Sequence, residues 1–144
     1  MVLALVSSPR SDGGFDTVMS GRPAERIPPA GRLRSATDFA RLKEHGRALR
    51  GSHCLLVTES RPGEPTRVAF VASRKGVGDA VRRNRARRRL REIVRRRWSS
   101  VVEQGLCMMF VAFRSTVTAP HADLERDVER LLEQAGAIAP GESA

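Results

Sequence analysis

One segment of the chain, from Arg82 to Arg97, combines two patterns that together restrict how the chain can fold. It holds ten arginines and a single acidic residue, Glu92. Apolar residues recur along it at steps of four, three, one and four, the period of one face of an α-helix. These residues are Ala86, Leu90, Ile93 and Val94, with Trp98 directly after the segment. The spacing therefore predicts a helix that packs an apolar stripe on a core and covers its remaining circumference with arginine.

The same segment carries almost all of the net charge. The formal charge of the 144-residue chain is +10, and this segment supplies nine of those charges. Arg83, Arg87, Arg91 and Arg95 are spaced by four residues, so each neighbouring pair costs about 0.2–0.5 kcal/mol through repulsion. A sequence that keeps such a row indicates a polyanionic partner, either nucleic acid or an acidic membrane surface.

The pattern favours RNA among the possible polyanions. A helix that lies on a membrane surface has a broad apolar face rich in Trp, Phe and Leu, whereas Trp98 is the one aromatic residue of this stripe. Arginine around most of a helix suits the phosphates of a folded RNA better than one groove edge of DNA. A nuclease acting through its own side chains would need clustered acids to hold metal ions, and only Asp79 and Glu92 lie near. A structural RNA-binding protein of the ribosome is the main alternative.

Shorter patterns predict the elements that precede the basic helix. Ser35 and Asp38 form a variant of the capping box that begins a helix, and Gly46 ends it. Two apolar runs, residues 53–58 and 67–73, predict an antiparallel hairpin around the loop RPGEP. The first part of the chain is therefore a helix followed by two strands.

The second part is a helix, a strand and a helix. The basic helix begins after Asp79 as N-cap, and the apolar run LCMMFVAFR after Gly105 predicts a strand in a sheet interior. A last helix begins at Pro120 and ends near Gly136, with an apolar side and an acidic side. The acidic side comprises Asp123, Glu125, Asp127, Glu129 and Glu133. The order α-β-β-α-β-α, with room for one further split strand, predicts a small single-domain α+β sandwich of sheet and helices.

Composition limits the remaining possibilities. Cys54 and Cys107 lie in separate apolar runs and are expected to be buried free thiols. With the three histidines they make no metal-ligand spacing, and Met108 and Met109 are expected to fill the core. No apolar run approaches the roughly 20 residues that span a bilayer. The opening MVLALVSS is short and has no basic residue before its apolar run, so it is a poor signal peptide. We therefore expect a cytoplasmic protein. Residues 1–30 have the composition of a disordered extension.

The segment SRKGVGDAVRRNRARRRLRE, residues 73–92, resembles the signature of the protein subunit of bacterial ribonuclease P. That signature is a basic pair after a strand, a short turn, then an RNR motif followed by further basic residues and R-E. The resemblance covers about residues 31–136 and predicts a domain of residues 31–137 with a flexible tail, 138–144. The RNA-binding residues predicted on this helix and its preceding loop are Arg74, Lys75, Arg82, Arg83, Asn84, Arg85, Arg87, Arg88 and Arg91.

The resemblance implies a fold and a function. The fold is a small α+β domain with a left-handed crossover around the arginine helix. The function is to bind the catalytic RNA subunit and precursor tRNA, and to assist endonucleolytic removal of the 5′ leader. In the family the RNA carries out the hydrolysis with Mg²⁺, while the protein raises substrate affinity and lowers the Mg²⁺ demand. Neither a further protein partner nor a membrane is implied.

The resemblance also implies a cleft between the first helix and the sheet that holds the single-stranded leader. Phe39 matches the first aromatic residue of this cleft, but Lys43 and Val57 stand where the family usually has two more aromatics. Stacking on an aromatic side chain is worth about 1–3 kcal/mol per base. We therefore expect this cleft to hold the leader more by charge than by stacking.

Two further helix positions carry separate expectations. Asn84 can both donate and accept hydrogen bonds, so it suits contact with a base, a 2′-hydroxyl or a metal-bound water. The alternative is that Asn84 is only a residue of the cap region at the start of the helix. Arg89 lies outside the matched motif. Its loss is expected to remove about one phosphate contact and little else.

Overall fold

The computed structural model describes residues 27–139, which form a four-stranded sheet with helices on both faces. The elements in chain order are α1 (Ala36–His45), β1 (Arg47–Arg50), β2 (Cys54–Pro65), β3 (Arg67–Val71), α2 (Ala80–Arg96), β4 (Gln104–Ala112), α3 (Arg114–Thr118) and α4 (His121–Gln134). The predicted α+β class and element order are confirmed, and β1 is the further strand. The short helix α3 lies where no element was predicted.

The strand order in the sheet is β1-β2-β4-β3. β4 is antiparallel to β2 and parallel to β3, and β1 is antiparallel to β2. The predicted hairpin between residues 53–58 and 67–73 is therefore wrong, because β4 lies between those two strands. The nearly continuous apolar run of β4 suits this interior position, where both of its faces are covered. The residues RPGEP continue β2 as far as Pro65 instead of forming a tight turn.

Helix α2 is the crossover between the neighbouring parallel strands β3 and β4. Parallel neighbours need a long connection because the chain must return to the same end of the sheet. The basic helix is therefore tied to the sheet at both of its ends. The left hand of this crossover stays a prediction from the resemblance.

An apolar cluster lies on each face of the sheet. The main core is formed by the sheet with α2 and α4, and its fully buried side chains include Leu56, Leu90, Phe110 and Leu131. The cluster on the other face, called here the α1-side cluster, comprises Leu33, Leu42, Val57, Ala69, Cys107 and Met109. Successive side chains of a strand point to opposite faces, so the continuous apolar run of β4 fills both clusters.

The predictions for the sulfur-containing residues are confirmed. Cys54 and Cys107 are free thiols buried in the main core and the α1-side cluster respectively. Burial raises the pKa of both thiols, so both stay protonated at neutral pH. Met108 and Met109 are also buried, one on each face of β4.

Packing extends past both predicted ends of the domain, 31–137. Ile27 is 3% exposed and Ile138 is 4% exposed, and both belong to the main core. Ile27 and Ile138 therefore pack with the domain, although the predictions assigned them to the extension and the tail. An isolated isoleucine gives no periodic signal, so the sequence pattern could not include either one. Residues 1–26 and 140–144 lie outside the described residues, and the predictions for them stay predictions.

The acidic side of α4 is not a uniform solvated face. Asp127 is 4% exposed and Glu129 is 7% exposed. Asp127 accepts hydrogen bonds from the backbone N–H groups of Ser52 and His53 at 2.9 and 2.8 Å, while Glu129 pairs with Arg97. Buried carboxylates require such partners. These two acids therefore join α4 to the turn between β1 and β2 and to the end of α2.

Candidate nucleic-acid interface

The basic helix α2 begins where the sequence predicted. The side chain of Asp79 accepts a hydrogen bond from the N–H of Arg82 at 2.9 Å, which satisfies a donor that has no partner within the helix. Gly78 has a φ of +131°, a conformation open to glycine, so the chain can turn into the helix there. The helix ends at Arg96, and Trp98 begins a separate 3-10 turn.

Burial of the predicted apolar stripe fixes how α2 is oriented. Ala86, Leu90, Ile93 and Val94 are at most 1% exposed, and half-buried Trp98 packs against the same core. This prediction is confirmed. Because the stripe occupies one side of the helix, the arginines lie around the rest of it and meet different surroundings.

The C-terminal end of α2 is paired within the protein. Arg97 lies 2.8 Å from a carboxylate oxygen of Glu125 and also pairs with Glu129. Arg95 and Glu92 form an ion pair at 2.7 Å. The hydrogen bond from Arg95 holds the pKa of Glu92 below its usual value, so Glu92 stays ionised at neutral pH. Acids therefore offset much of the positive charge at this end.

Arg89 holds α3 against α2. Its guanidinium donates hydrogen bonds to the carbonyl oxygens of Thr116, Val117 and Ala119 at 2.8, 2.9 and 2.6 Å. Carbonyls at the end of a helix need partners from outside it, and Arg89 supplies them here. Burial lowers the pKa of Arg89. The expectation that Arg89 contributes little beyond a phosphate contact is therefore wrong.

Four other arginines of α2, Arg82, Arg85, Arg88 and Arg91, are exposed. Arg82 and Arg88 are exposed, and neither has a hydrogen bond or ion pair from its side chain within residues 27–139. Arg85 is exposed and donates one long hydrogen bond, 3.3 Å, to the carbonyl of Val117. Positive charge is therefore concentrated at the start of the helix.

Two contacts orient side chains of the predicted motif. Arg87 donates a hydrogen bond to the Oδ1 atom of Asn84 at 2.5 Å. The guanidinium of Arg91 lies 5.9 Å from the ring centroid of Phe70 in β3. Asn84 is exposed, so its amide N–H₂ group remains accessible beside Arg87.

The loop between β3 and α2 adds two cations to this surface. The Oγ atom of Ser73 accepts a hydrogen bond from the N–H of Gly76 at 2.8 Å, which fixes the turn. Arg74 and Lys75 are exposed, and the loop leads directly into the helix start at Asp79. We call the following set the basic surface: Arg74, Lys75, Arg82, Arg83, Asn84, Arg85, Arg87, Arg88 and Arg91.

The residues predicted to form a cleft lie on the other face of the sheet. Ser35 caps α1 and Gly46 ends it, as predicted. Phe39 is half-buried against the α1-side cluster, and Val57 is a 9% exposed member of that cluster. The structure thus brings Phe39 and Val57 together and leaves Lys43, one turn further along α1, exposed.

This sheet face continues past the α1-side cluster as a row of partly buried apolar residues. Strand register aligns Leu55, Val111 and Val71 across β2, β4 and β3. Arg50 pairs with Leu55 at the β1 end of the row, and Phe113 follows Val111 by two residues. We call these five residues the open strip. The predictions missed Arg50 and Phe113: alternation along β4 gives the face of Phe113, but the face of Arg50 depends on the register of β1.

The described residues contain no evident set of groups for phosphodiester cleavage. Within residues 27–139, no group of three or more His, Cys, Asp or Glu side chains could hold a metal ion. His53 Nδ1 lies 3.0 Å from Ser115 Oγ, but Asp127 binds the backbone N–H of His53 and not its ring. Mg²⁺ prefers oxygen ligands, and the acids nearest the basic surface, Asp79 and Glu92, serve as a helix cap and an ion-pair partner. The basic surface does not fit this ion.

Comparison with known proteins identifies the family. The profile of the family Ribonuclease P matches residues 27–136. The chain belongs to the ribonuclease P protein family. The ribonuclease P protein component of Symbiobacterium thermophilum is 40% identical over 108 residues, covering 74% of this chain and 92% of that protein. The corresponding protein of Beutenbergia cavernae is 39% identical over 111 residues, with 76% and 92% covered.

Solved structures support the fold. The RNase P protein of Staphylococcus aureus has a TM-score of 0.66 at 21% identity, covering 76% of this chain and 98% of that one. The RNase P protein from Thermotoga maritima has a TM-score of 0.62 at 24% identity, covering 72% and 96%. At these identities the likeness concerns the fold alone.

Family membership decides between the alternatives left by the sequence. Ribonuclease P proteins are RNA-binding components of a ribonucleoprotein endoribonuclease of tRNA processing, so a ribosomal role and a membrane-surface role are set aside. No helix in the described residues is both long and apolar enough to cross a bilayer. The assignment of RNA contacts to the basic surface and of leader contacts to Phe39, Lys43 and Val57 stays a prediction.

Proposed function

We propose that this protein binds both the catalytic RNA of ribonuclease P and the 5′ leader of precursor tRNA. The observation that carries the proposal is the division of the arginines along α2. Arg89, Arg95 and Arg97 bind partners within the protein, whereas Arg82 and Arg88 are exposed on α2. The fold thus concentrates its cations where a large polyanion can reach them. With precursor tRNA as its proposed substrate, the protein is proposed to act in the cytoplasm.

The proposed role of the basic surface is to grip phosphates. Each guanidinium can donate two parallel hydrogen bonds to a phosphate. Cations fixed by the fold reduce the repulsion between the phosphates of neighbouring RNA strands. Without them, more Mg²⁺ is needed to screen the same repulsion. The catalytic RNA holds the Mg²⁺ that supplies the hydrolytic chemistry, and the protein binds and orients its partners. No further protein partner is needed for this role.

The proposed role of the other sheet face is to hold the leader. Phe39 offers one aromatic ring at the α1 end, and Lys43 adds an exposed cation nearby. The open strip continues this surface away from α1 and has an arginine at its edge. A groove that combines apolar rows with cations suits single-stranded RNA, because bases and phosphates are satisfied separately.

Reconstitution tests whether the RNA or the protein carries out the cleavage. The protein alone should not cleave precursor tRNA at any Mg²⁺ concentration, because residues 27–139 contain no group of three or more His, Cys, Asp or Glu side chains that could hold a metal ion. The cognate RNA alone should cleave at high Mg²⁺, and adding the protein should restore cleavage at low Mg²⁺. Gel analysis of the 5′ product measures each case. Cleavage by protein free of RNA would contradict the proposal.

Salt dependence tests the electrostatic part. The logarithm of the RNA affinity should fall with the logarithm of salt concentration by about 0.7–0.9 per neutralised phosphate, with roughly four to eight contacts. Replacing both Arg82 and Arg88 by Ala should reduce the slope by about two contacts. Arg126→Ala is a matched control, since this arginine is exposed on α4 and pairs with Asp123. A slope near zero, or an equal effect of the control, would exclude the basic surface as the binding site.

A further inference from the structure

Two residues of the open strip form a contact that the proposed function does not use. The guanidinium carbon of Arg50 lies 4.9 Å from the ring centroid of Phe113, over the face of the ring. This is the geometry of a cation–π contact. Arg50 is exposed, and within residues 27–139 it has no ion pair. The side chain is thus held by an aromatic ring and not by an acid.

The fold fixes both members of this pair. Phe113 donates its backbone N–H to the Oγ1 atom of Thr116 at 3.0 Å, which sets its position at the start of α3. Arg50 is placed by its register partner Leu55. Side chains alternate along β1, so Arg47 lies on the opposite face, where it donates to the carbonyl of Gln134 at 3.3 Å. The chain therefore provides an internal control on the same strand.

A guanidinium that lies on a ring covers one face of that ring and keeps its own opposite plane available. Unpaired bases of RNA stack on such planes as well as on aromatic rings. We propose that Arg50, supported by Phe113, is a stacking platform for one unpaired nucleobase of the RNA held along the open strip. This proposal rests on the proposed function. It supplies a stacking position in a cleft that has Lys43 and Val57 in place of aromatics.

The surroundings favour a base over a phosphate as the group that Arg50 contacts. Leu55 is the register partner of Arg50, and Val111 follows Leu55 along the open strip. A phosphate placed against them would lose water without gaining hydrogen bonds, which is unfavourable. The flat face of a base would instead cover both the guanidinium and the apolar row.

A charge-conserving substitution tests the platform. Arg50→Lys keeps the charge but removes the plane, and Arg47→Lys makes the same change on the opposite face. Binding is measured for holoenzyme reconstituted with the catalytic RNA, using precursor tRNAs whose leaders carry one abasic nucleotide at successive positions. With the wild-type protein, one abasic position should weaken binding roughly tenfold. Arg50→Lys should weaken binding of the intact leader by the same factor and be insensitive to that abasic position.

The remaining outcomes are distinct. Arg47→Lys should match the wild type, and Phe113→Leu should reproduce the loss, with circular dichroism confirming folding. If Arg50→Lys binds the intact leader as tightly as the wild type, or weakens leaderless tRNA equally, the platform is excluded while the proposed function stands. If the wild-type protein gives no preference for a leader over leaderless tRNA, the proposed leader binding fails and the platform fails with it.

Discussion

We expect Asp127→Ala to lower the free energy of unfolding by about 2–4 kcal/mol. The carboxylate is 4% exposed and accepts hydrogen bonds from two backbone N–H groups, those of Ser52 and His53. It also lies 2.6 Å from the guanidinium of Arg130. Alanine would leave these donors without their acceptor and open a gap beside Gly51. Urea unfolding followed by circular dichroism measures the change.

Asp123→Ala is the matched control for this substitution. Asp123 lies on the same helix and pairs with Arg126, but both side chains are largely solvated, at 45% and 72% exposed. Such a pair contributes about 0–1 kcal/mol, so the control should barely change the unfolding midpoint. Equal losses for the two variants would show that Asp127 does not hold the β1–β2 turn to α4. The turn carries Arg50 at its start, so loss of Asp127 should also weaken leader binding.

Arg89→Ala should lower the free energy of unfolding by about 2–3 kcal/mol, because a charged donor to three carbonyl oxygens is removed. Those bonds, at 2.6–2.9 Å, join the end of α3 to the middle of α2. The loss should appear as a lower midpoint in urea with an unchanged slope. Loosening of α3 should follow, since part of its C-terminal end would then rely on water.

Arg88→Ala, at the neighbouring position, should affect RNA binding and not stability. Arg88 is exposed and has no side-chain partner within the described residues, so its removal should leave stability within about 0.5 kcal/mol. It should instead reduce the salt dependence of RNA binding by about one contact. The two variants remove the same charge from adjacent positions, so their effects separate folding from binding. If Arg88→Ala destabilises the fold and Arg89→Ala does not, the division of arginines along α2 is wrong.

Patterns confined to one element predicted local structure well. The steps between Ala86, Leu90, Ile93 and Val94 gave the buried side of α2, and Asp79 gave its start. These predictions succeeded because helix periodicity and capping depend on residues within a few positions of each other. The same holds for α1, which begins after Ser35 and ends before Gly46.

Pairings between distant segments could not be obtained in this way. The runs 53–58 and 67–73 looked like a hairpin because they are close in sequence, yet β4 separates them. Ile27 joins the main core although it lies in a segment without any period. Strand pairing depends on how the whole core packs. The residues between those two runs carry no signal that β4, which comes later in the sequence, lies between them in the sheet.

Residue patterns were enough to predict an α+β domain with one basic amphipathic helix, and to recognise the resemblance of that helix to ribonuclease P proteins. Packing between distant segments determines which of its arginines are exposed. Arg88 and Arg89 are identical residues at adjacent positions, yet one is exposed and the other binds the carbonyls of α3. Adjacent helix positions point about 100° apart. What a side chain meets in that direction depends on packing with segments that lie far away in the sequence.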